Sequence, residues 1–347
     1  MKREVQRKVQ VEVQLVEKIS RALHPRNSFR RSRVSRSSVR LDIGDDAAVL
    51  KPSPNSEWVV SCDAFVEDIH FRISTHPADS VGYKSLMRAT SDLAAMGASP
   101  RYYLLTLALP SERTGRWLNE FLPGMARASR ELRIRAVGGD TTRNSKISLS
   151  LTVIGEAKPG RTISRSGARP GDLIYVSGTL GRAQLGLELT LAGYARTRSV
   201  RDAVAPHLYP RARVELGAWL AQHKIPSAMI DLSDGLSTDL ARLCTASRVG
   251  AQIRADQLPF VTITPAARKL LRPTRIDPQQ AALHSGDDYE LLFTIPPRHV
   301  SKLRRAPGAR TLHHIGEITR THSPSITLVD TSGHSSPVYP AGWDSFR

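Results

Sequence analysis

Six aspartates stand where a chain builds sites rather than plain surface. Asp46 follows Asp45 in "IGDDAAVL", just ahead of an apolar run. Asp63 lies in "VVSCD", Asp92 in "RATSDLAAMGA" and Asp140 at the end of "AVGGD", while Asp231 and Asp234 frame "IDLSDG". Their neighbours are Gly, Ser, Thr and Ala rather than Lys, so local ion pairing does not account for them. Carboxylates gathered without cations raise one another's pKa values and repel. Hard oxygen ligands of this kind suit Mg²⁺, which binds through a few carboxylates plus the phosphates of a substrate. Successive side chains of an extended chain point to opposite faces, so only one of Asp45 and Asp46 faces a given site. Taken singly, each Asp is at least as readily structural: "SDG" is ordinary turn and cap chemistry, and Asp42 reads as surface charge. The recurrence at strand ends, where α/β proteins place their sites, favours a centre for metal and phosphate.

Other residues narrow the chemistry. "VGGDTTR" offers backbone N–H groups unobstructed by side chains, then hydroxyls and Arg143, which suits a phosphate, although Gly-Gly after a strand is more often a tight turn. A P-loop is missing, since "GYKS" at 82–85 lacks the preceding glycine, and no G-x-G-x-x-G marks a dinucleotide fold. His70 in "EDIHF" is a lone histidine and reads as structural. Cys62 falls inside a strand-like run and reads as packed rather than nucleophilic. No Ser-His-Asp or Cys-His arrangement stands out, which leaves a hydrolase without support.

The elements that must carry these residues alternate between strand and helix. "AAVL", "WVVSCDAFV", "YYLLTLALP" and "ISLSLTVIGEA" read as strands, and 77–97 and "TGRWLNEFLPGMARASREL" as helices. Residues 13–24 have helical spacing at Leu15, Val16, Ile19 and Leu23, after a strand-like alternation from Val5 to Val13. The Gly-, Pro- and Ser-rich stretch 158–172 is the boundary between two mixed α/β halves. Beyond it "LIYVSG", "SAMIDLSDG" and "ELLFTIP" read as strands, with helices near 181–193, 211–223 and 236–247.

Composition bounds the class. The chain has 347 residues, enough for two cores, and no run approaches the roughly 18 apolar residues of a membrane helix. Cys62 and Cys244 are too few for a disulfide framework or a thiolate zinc site, so a reducing cytoplasm is expected. The net charge is +18, but residues 1–40 hold 12 Lys/Arg against 3 Glu, so half of the excess sits in one Ser/Arg-rich arm. Such an arm reads as a solvated basic segment, and no motif supports specific nucleic-acid binding.

Taken together and in order, "IGDDAAVL", "SCDAFVEDIHF", "SDLAAMGASP", "VGGDTTR", "RSGARPGD", "IDLSDGLSTDL", "SGDDYELLF" and "GWDSF" resemble the thiamine-monophosphate kinases. The resemblance spans residues 43–346 and places the chain with aminoimidazole ribonucleotide synthetase-like proteins. It implies a two-domain α/β (α+β) fold: a basic arm and helix over 1–40, an ATP- and metal-binding domain over 41–157 that forms the core of a homodimer, and a C-terminal domain over 158–347. It implies ATP-dependent phosphorylation of thiamine monophosphate to thiamine diphosphate. The metal ligands it implies for Mg²⁺ are Asp46, Ser61, Cys62, Asp63, Asp92, Asp140, Asp231 and Asp234. Gly138, Gly139, Asp140, Arg165 and Ser233 fall at ATP, and His70, Asp287 and Trp343 at the substrate. The chain departs from the family pattern at Cys62 (usually Thr), Ala89 (often Asn), Asp287 (usually Glu) and around Leu132. The alternatives are a sister ATP-dependent enzyme of the same superfamily and a non-catalytic nucleotide-binding protein.

Overall fold

The structure is a computed structural model and describes residues 14–23, 38–41, 43, 47–272, 276–321 and 325–346. The strand-like alternation from Val5 to Val13, most of the basic arm, Asp42, Asp45 and Asp46 lie outside the described residues. The chain divides into two compact units, Met1–Thr90 with Pro100–Glu156, and Ser91–Ser99 with Ala157–Arg347.

In the first unit the helix at 14–23 (α1) precedes a short antiparallel ribbon of β1 (Val39–Leu41) and β2 (Val49–Leu50). Then come β3 (Glu57–Val66), α2 (Ala78–Ala95, whose residues from Ser91 belong to the second unit), β4 (Ser99–Leu109), α3 (Arg116–Leu132), β5 (Arg135–Arg143) and β6 (Ser148–Ala157). The sheet has the order β3-β6-β4-β5, with β4 and β5 parallel. α2 is stopped by Gly97, whose φ of 72° lets the chain turn out of the helix while the Gly97 and Ala98 N–H groups bond back to Ala94 and Leu93. α2 and α3 approach until backbone meets backbone. A Cβ added at Gly124 would lie 1.8 Å from the Asp79 carbonyl oxygen, and one at Gly82 would lie 2.4 Å from that of Phe121. Gly124→Ala gains about 1 kcal/mol of helix propensity but must push the helices apart. The overpacking term wins, and unfolding in urea should report a net loss of about 2–3 kcal/mol.

"AVGGDTTR" is a strand rather than a strand and a loop. Gly138, Gly139 and Asp140 pair in β5 with Leu104, Leu105 and Thr106 of β4, just past an irregularity at Tyr103/Leu104. Gly139 is needed because a Cβ there would lie 1.9 Å from the Leu105 carbonyl oxygen. The glycines serve a close strand approach, and the expected tight turn is absent from this stretch.

The second unit contains β7 (Leu173–Val176), α4 (Arg182–Leu191), α5 (Arg201–Leu208), α6 (Val214–Gln222), β8 (Ala228–Asp231), α7 (Leu236–Ser247), β9 (Gly250–Arg254), α8 (Pro265–Leu270), α9 (Pro278–His284), β10 (Leu291–Ile295), β11 (His313–Thr319), β12 (Ile326–Val329) and β13 (Ser335–Val338). Its seven-stranded sheet runs β13-β12-β9-β11-β7-β10-β8, antiparallel except for β12 beside β9. Alternation along the strands fills a core on each face. Ile174, Val176, Ile230 and Leu292 pack with Leu240 and Leu243 of α7, whereas Met229, Leu291, Phe293 and Ile295 pack with Leu216 and Leu220 of α6 and with Ala94 and Ala95. β10, buried along its length, is accordingly apolar throughout "LLFTI" except for Thr294, whose hydroxyl meets Ser227 Oγ at 2.6 Å. No helix among the described residues is long and apolar enough to cross a membrane.

Candidate functional site

β8 delivers Asp231 to the rim of the second unit's sheet, opposite Leu291 of β10, and the chain then turns through Leu232–Gly235 into α7. Gly235 takes a φ of 111°, which lets the turn enter the helix. The Asp239 carboxylate reaches back to accept the N–H groups of Asp234 (3.0 Å) and Gly235 (3.1 Å). Burial first, and the neighbouring Asp234 charge as well, push Asp239 up to about 6, against the pull of these bonds and of Arg242. Arg242 donates to both Asp239 (2.7 Å) and Asp234 (2.5 Å), so the turn is pinned from two sides.

Two further segments dock on this turn. The Asp287 N–H donates to the Ser233 carbonyl (2.8 Å) and that of Tyr289 to the Leu232 carbonyl (2.9 Å). From the tail, the Trp343 N–H donates to the Asp234 carbonyl (3.0 Å) and the Gly342 N–H to Thr238 Oγ1 (3.0 Å). The expected site residues Asp231, Ser233, Asp234, Asp287 and Trp343 therefore share one turn, with the Trp343 ring half exposed. A Cβ at Gly342 would lie 1.9 Å from the Asp234 carbonyl oxygen. Gly342→Ala should lift the tail, and hydrogen exchange of the Trp343 amide should speed up about tenfold or more.

Asp231 is buried, and its carboxyl is pushed up to about 7, by burial first and then by the like charge of Asp92. The nearby Ser91 hydroxyl and the more weakly acting Arg165 pull the other way. Among the described residues no three His, Cys, Asp or Glu side chains are disposed to hold a metal. The Asp92–Asp231 pair nevertheless fits a hard divalent cation, being two oxygen donors whose mutual repulsion a cation relieves.

In the first unit, Asp63 on β3 is held by two bonds from Arg88 of α2, at 2.7 and 3.1 Å, with the guanidinium 5.2 Å above the Phe65 ring. Ion pairs thus do account for Asp63 and Asp234, contrary to the sequence expectation, because Arg88 and Arg242 come from helices and not from the flanking residues. The i,i+3 spacing of Asp239 and Arg242 was a legible signal; Arg88 had none. Cys62 is exposed rather than packed, since β3 is an edge strand with an open face. Its Sγ lies 3.4 Å from Ser150 Oγ, and strand alternation puts it opposite Ser61 and Asp63, which leaves only its carbonyl to join them. Asp140 is exposed and accepts the Thr141 N–H (2.8 Å). It borders, with Gly138, Gly139, Leu23 and Ile154, a cleft of about 720 Å³ within this unit. His70 accepts the Val66 N–H at 3.0 Å, in keeping with the structural reading.

Residues 44–157 match the family described as AIR synthase related protein, N-terminal domain, and residues 169–329 the corresponding C-terminal domain. The chain is similar to the thiamine-monophosphate kinases of Synechococcus elongatus (36% identical, 83% of this chain and 86% of the relative), Escherichia coli K12 (38%, 83% and 85%) and Bacillus subtilis (31%, 90% and 96%). Among solved structures it is similar to the Stenotrophomonas maltophilia thiamine-monophosphate kinase, with a TM-score of 0.73 at 34% identity over 90% of this chain and 95% of that one. It is also similar to AaThiL complexed with AMPPCP and TMP, with a TM-score of 0.72 at 28% identity over 95% of each chain. By sequence and by fold, the chain belongs to the thiamine-monophosphate kinase family.

Proposed function

We propose that this chain transfers the terminal phosphoryl group of ATP to thiamine monophosphate by direct in-line displacement, giving thiamine diphosphate and ADP. The observation that supports this most is the convergence of Asp231, Ser233, Asp234, Asp287 and Trp343 on one turn, in a chain whose relative AaThiL is complexed with AMPPCP and TMP. The acceptor is a phosphate monoester with a second pKa of about 6, already largely ionised near neutrality, so no strong general base is required. The task is to bring two anions together.

We assign Asp92, Asp231 and Asp234 of the second unit, and Asp46, Ser61, Asp63, Asp140 and the Cys62 carbonyl of the first, to Mg²⁺. Bound there, Mg²⁺ would neutralise phosphate charge. To hold the cation, Asp63 and Asp234 would have to give up their arginine partners, whereas Asp231 would be relieved of the Asp92 charge. Arg165 offers a guanidinium to a phosphate, and Ser233, Gly138, Gly139 and Asp140 complete the contacts assigned to ATP. His70, Asp287 and Trp343 are assigned to thiamine monophosphate, with the half-exposed Trp343 ring stacking on the thiazolium cation. The domain assignment that goes with this reading is an ATP- and metal-binding domain over 41–157 and a C-terminal domain over 158–347. We further assign a homodimer through the first unit. On the edge strand β3, Trp58 and Val60 are 42% and 57% exposed, and an open apolar strand invites pairing.

Purified protein with ATP, Mg²⁺ and thiamine monophosphate should yield thiamine diphosphate and ADP in equal amounts by chromatography, and EDTA should stop it. ATP turnover without thiamine diphosphate would point to a sister activity and reject this reading.

A further inference from the structure

The loop that carries Asp287 is built to an unusual degree. Asp287 has a φ of 69° and Tyr289 a φ of 50°, and the left-handed region is rarely occupied by a bulky aromatic residue. Several contacts enforce it. The Asp287 and Tyr289 N–H groups are spent on the Ser233 and Leu232 carbonyls. Gly286 lies so close to the turn that a Cβ there would meet the Ser233 carbonyl oxygen at 2.4 Å. Between the two left-handed residues, the Asp288 carboxylate accepts the N–H groups of Gly181 (2.6 Å) and Ala183 (3.1 Å) at the start of α4.

This backbone turns the Tyr289 ring inward, where the residue is only 2% exposed, and brings its hydroxyl to Asp287 Oδ1 at 2.7 Å. The other oxygen, Oδ2, faces the Nδ1 of His207 on α5 at 3.9 Å, and His207 too is buried. The Asp287 side chain keeps 32% of its surface open beside the Ser233–Asp234 turn. A carboxylate gripped from behind and open in front is a preformed acceptor for a cationic or amino-bearing group.

We propose that Tyr289 is a positioning residue, backed by His207, which aims the Asp287 carboxylate at the cationic heterocycle of the acceptor substrate and so sets affinity for that substrate and not for ATP. This rests on the functional reading above.

The test is a binding cycle with the full chain, using thiamine monophosphate and, separately, a non-hydrolysable ATP analogue as probes in titration calorimetry. Tyr289→Phe keeps the buried ring and removes only the hydroxyl. It should weaken thiamine monophosphate about tenfold, the loss typical of a hydrogen bond to a charged group, and leave the ATP analogue within about twofold. In turnover, KM for thiamine monophosphate should rise while kcat stays nearly level. Asp287→Asn should weaken the same probe at least as much, and the double variant no further, because the hydroxyl acts through the carboxylate. Should Tyr289→Phe fold poorly, His207→Gln carries the same expectation in smaller measure. Equal losses for both probes, additive losses in the double variant, or no loss at all would overturn the assignment while the functional reading stands. Failure of the unaltered chain to bind thiamine monophosphate would overturn both.

Discussion

Asp231→Asn leaves a folded protein whose phosphorylation of thiamine monophosphate falls by about a thousandfold or more, a barrier increase of about 4 kcal/mol. The fold survives because asparagine is nearly isosteric and the backbone of Asp231 is already paired to Leu291 in the sheet. The side chain loses only a charge that burial and Asp92 oppose. In EDTA the variant should therefore melt at or above the temperature of the unaltered chain. The chemistry collapses because an amide offers a single, neutral oxygen where a hard divalent cation needs charge. Circular dichroism melting and product chromatography read the two halves separately. Turnover within tenfold of normal would remove Asp231 from the assigned ligands, and a lowered melting temperature would show that its charge is structural.

The largest expected stability effect lies at Arg213, which grips the segment beside that turn. Glu290 is 3% exposed, and its carboxylate receives two bonds from the Arg213 guanidinium, one of them 2.6 Å from Nε, and a third from Ser177 Oγ at 2.6 Å. Gly178 makes the room, since a Cβ there would lie 2.3 Å from Glu290 Oε1. Removing one partner of such a pair strands a buried charge, so Arg213→Met should cost about 3–5 kcal/mol in urea unfolding. Arg213→Met with Glu290→Met should recover most of this, because an apolar pair of similar volume leaves nothing stranded. A double variant as unstable as the single one would show that the pair holds the loop by geometry rather than by charge balance.

Much of the architecture was legible because the physics was local. The run "LLFTI" reads as a buried strand because only Thr294 in it is polar, and residues 236–247 read as a helix that the structure reproduces at Leu236–Ser247. The convergence on the Ser233–Asp234 turn was foreshadowed by "SDG" but not contained in it, since the docking segments arrive from about 50 and 110 residues further along the chain. Whatever depended on long-range placement was not legible. Arg88 reaches Asp63 from a helix that no spacing rule connects to β3. Gly138-Gly139 looked like a turn because glycine serves a turn and a close strand contact equally well, and only the neighbouring strand decides between them. Cys62 looked packed because alternation gives faces, not which face is covered.

The central position of β7 has a consequence for how the protein comes to exist. Both neighbours of β7 in the sheet, β10 and β11, lie more than a hundred residues further along the chain. Loops of that length must close before the pairing returns anything, which makes this half of the molecule a slow folder. On a ribosome adding about 5–20 residues per second, the interval between Val176 and Leu291 leaves both edges of β7 waiting for roughly 6–25 s. During that wait the nascent chain offers unsatisfied strand edges to any neighbour, so a chaperone that holds the chain should raise the yield of native enzyme more than any change to its finished core.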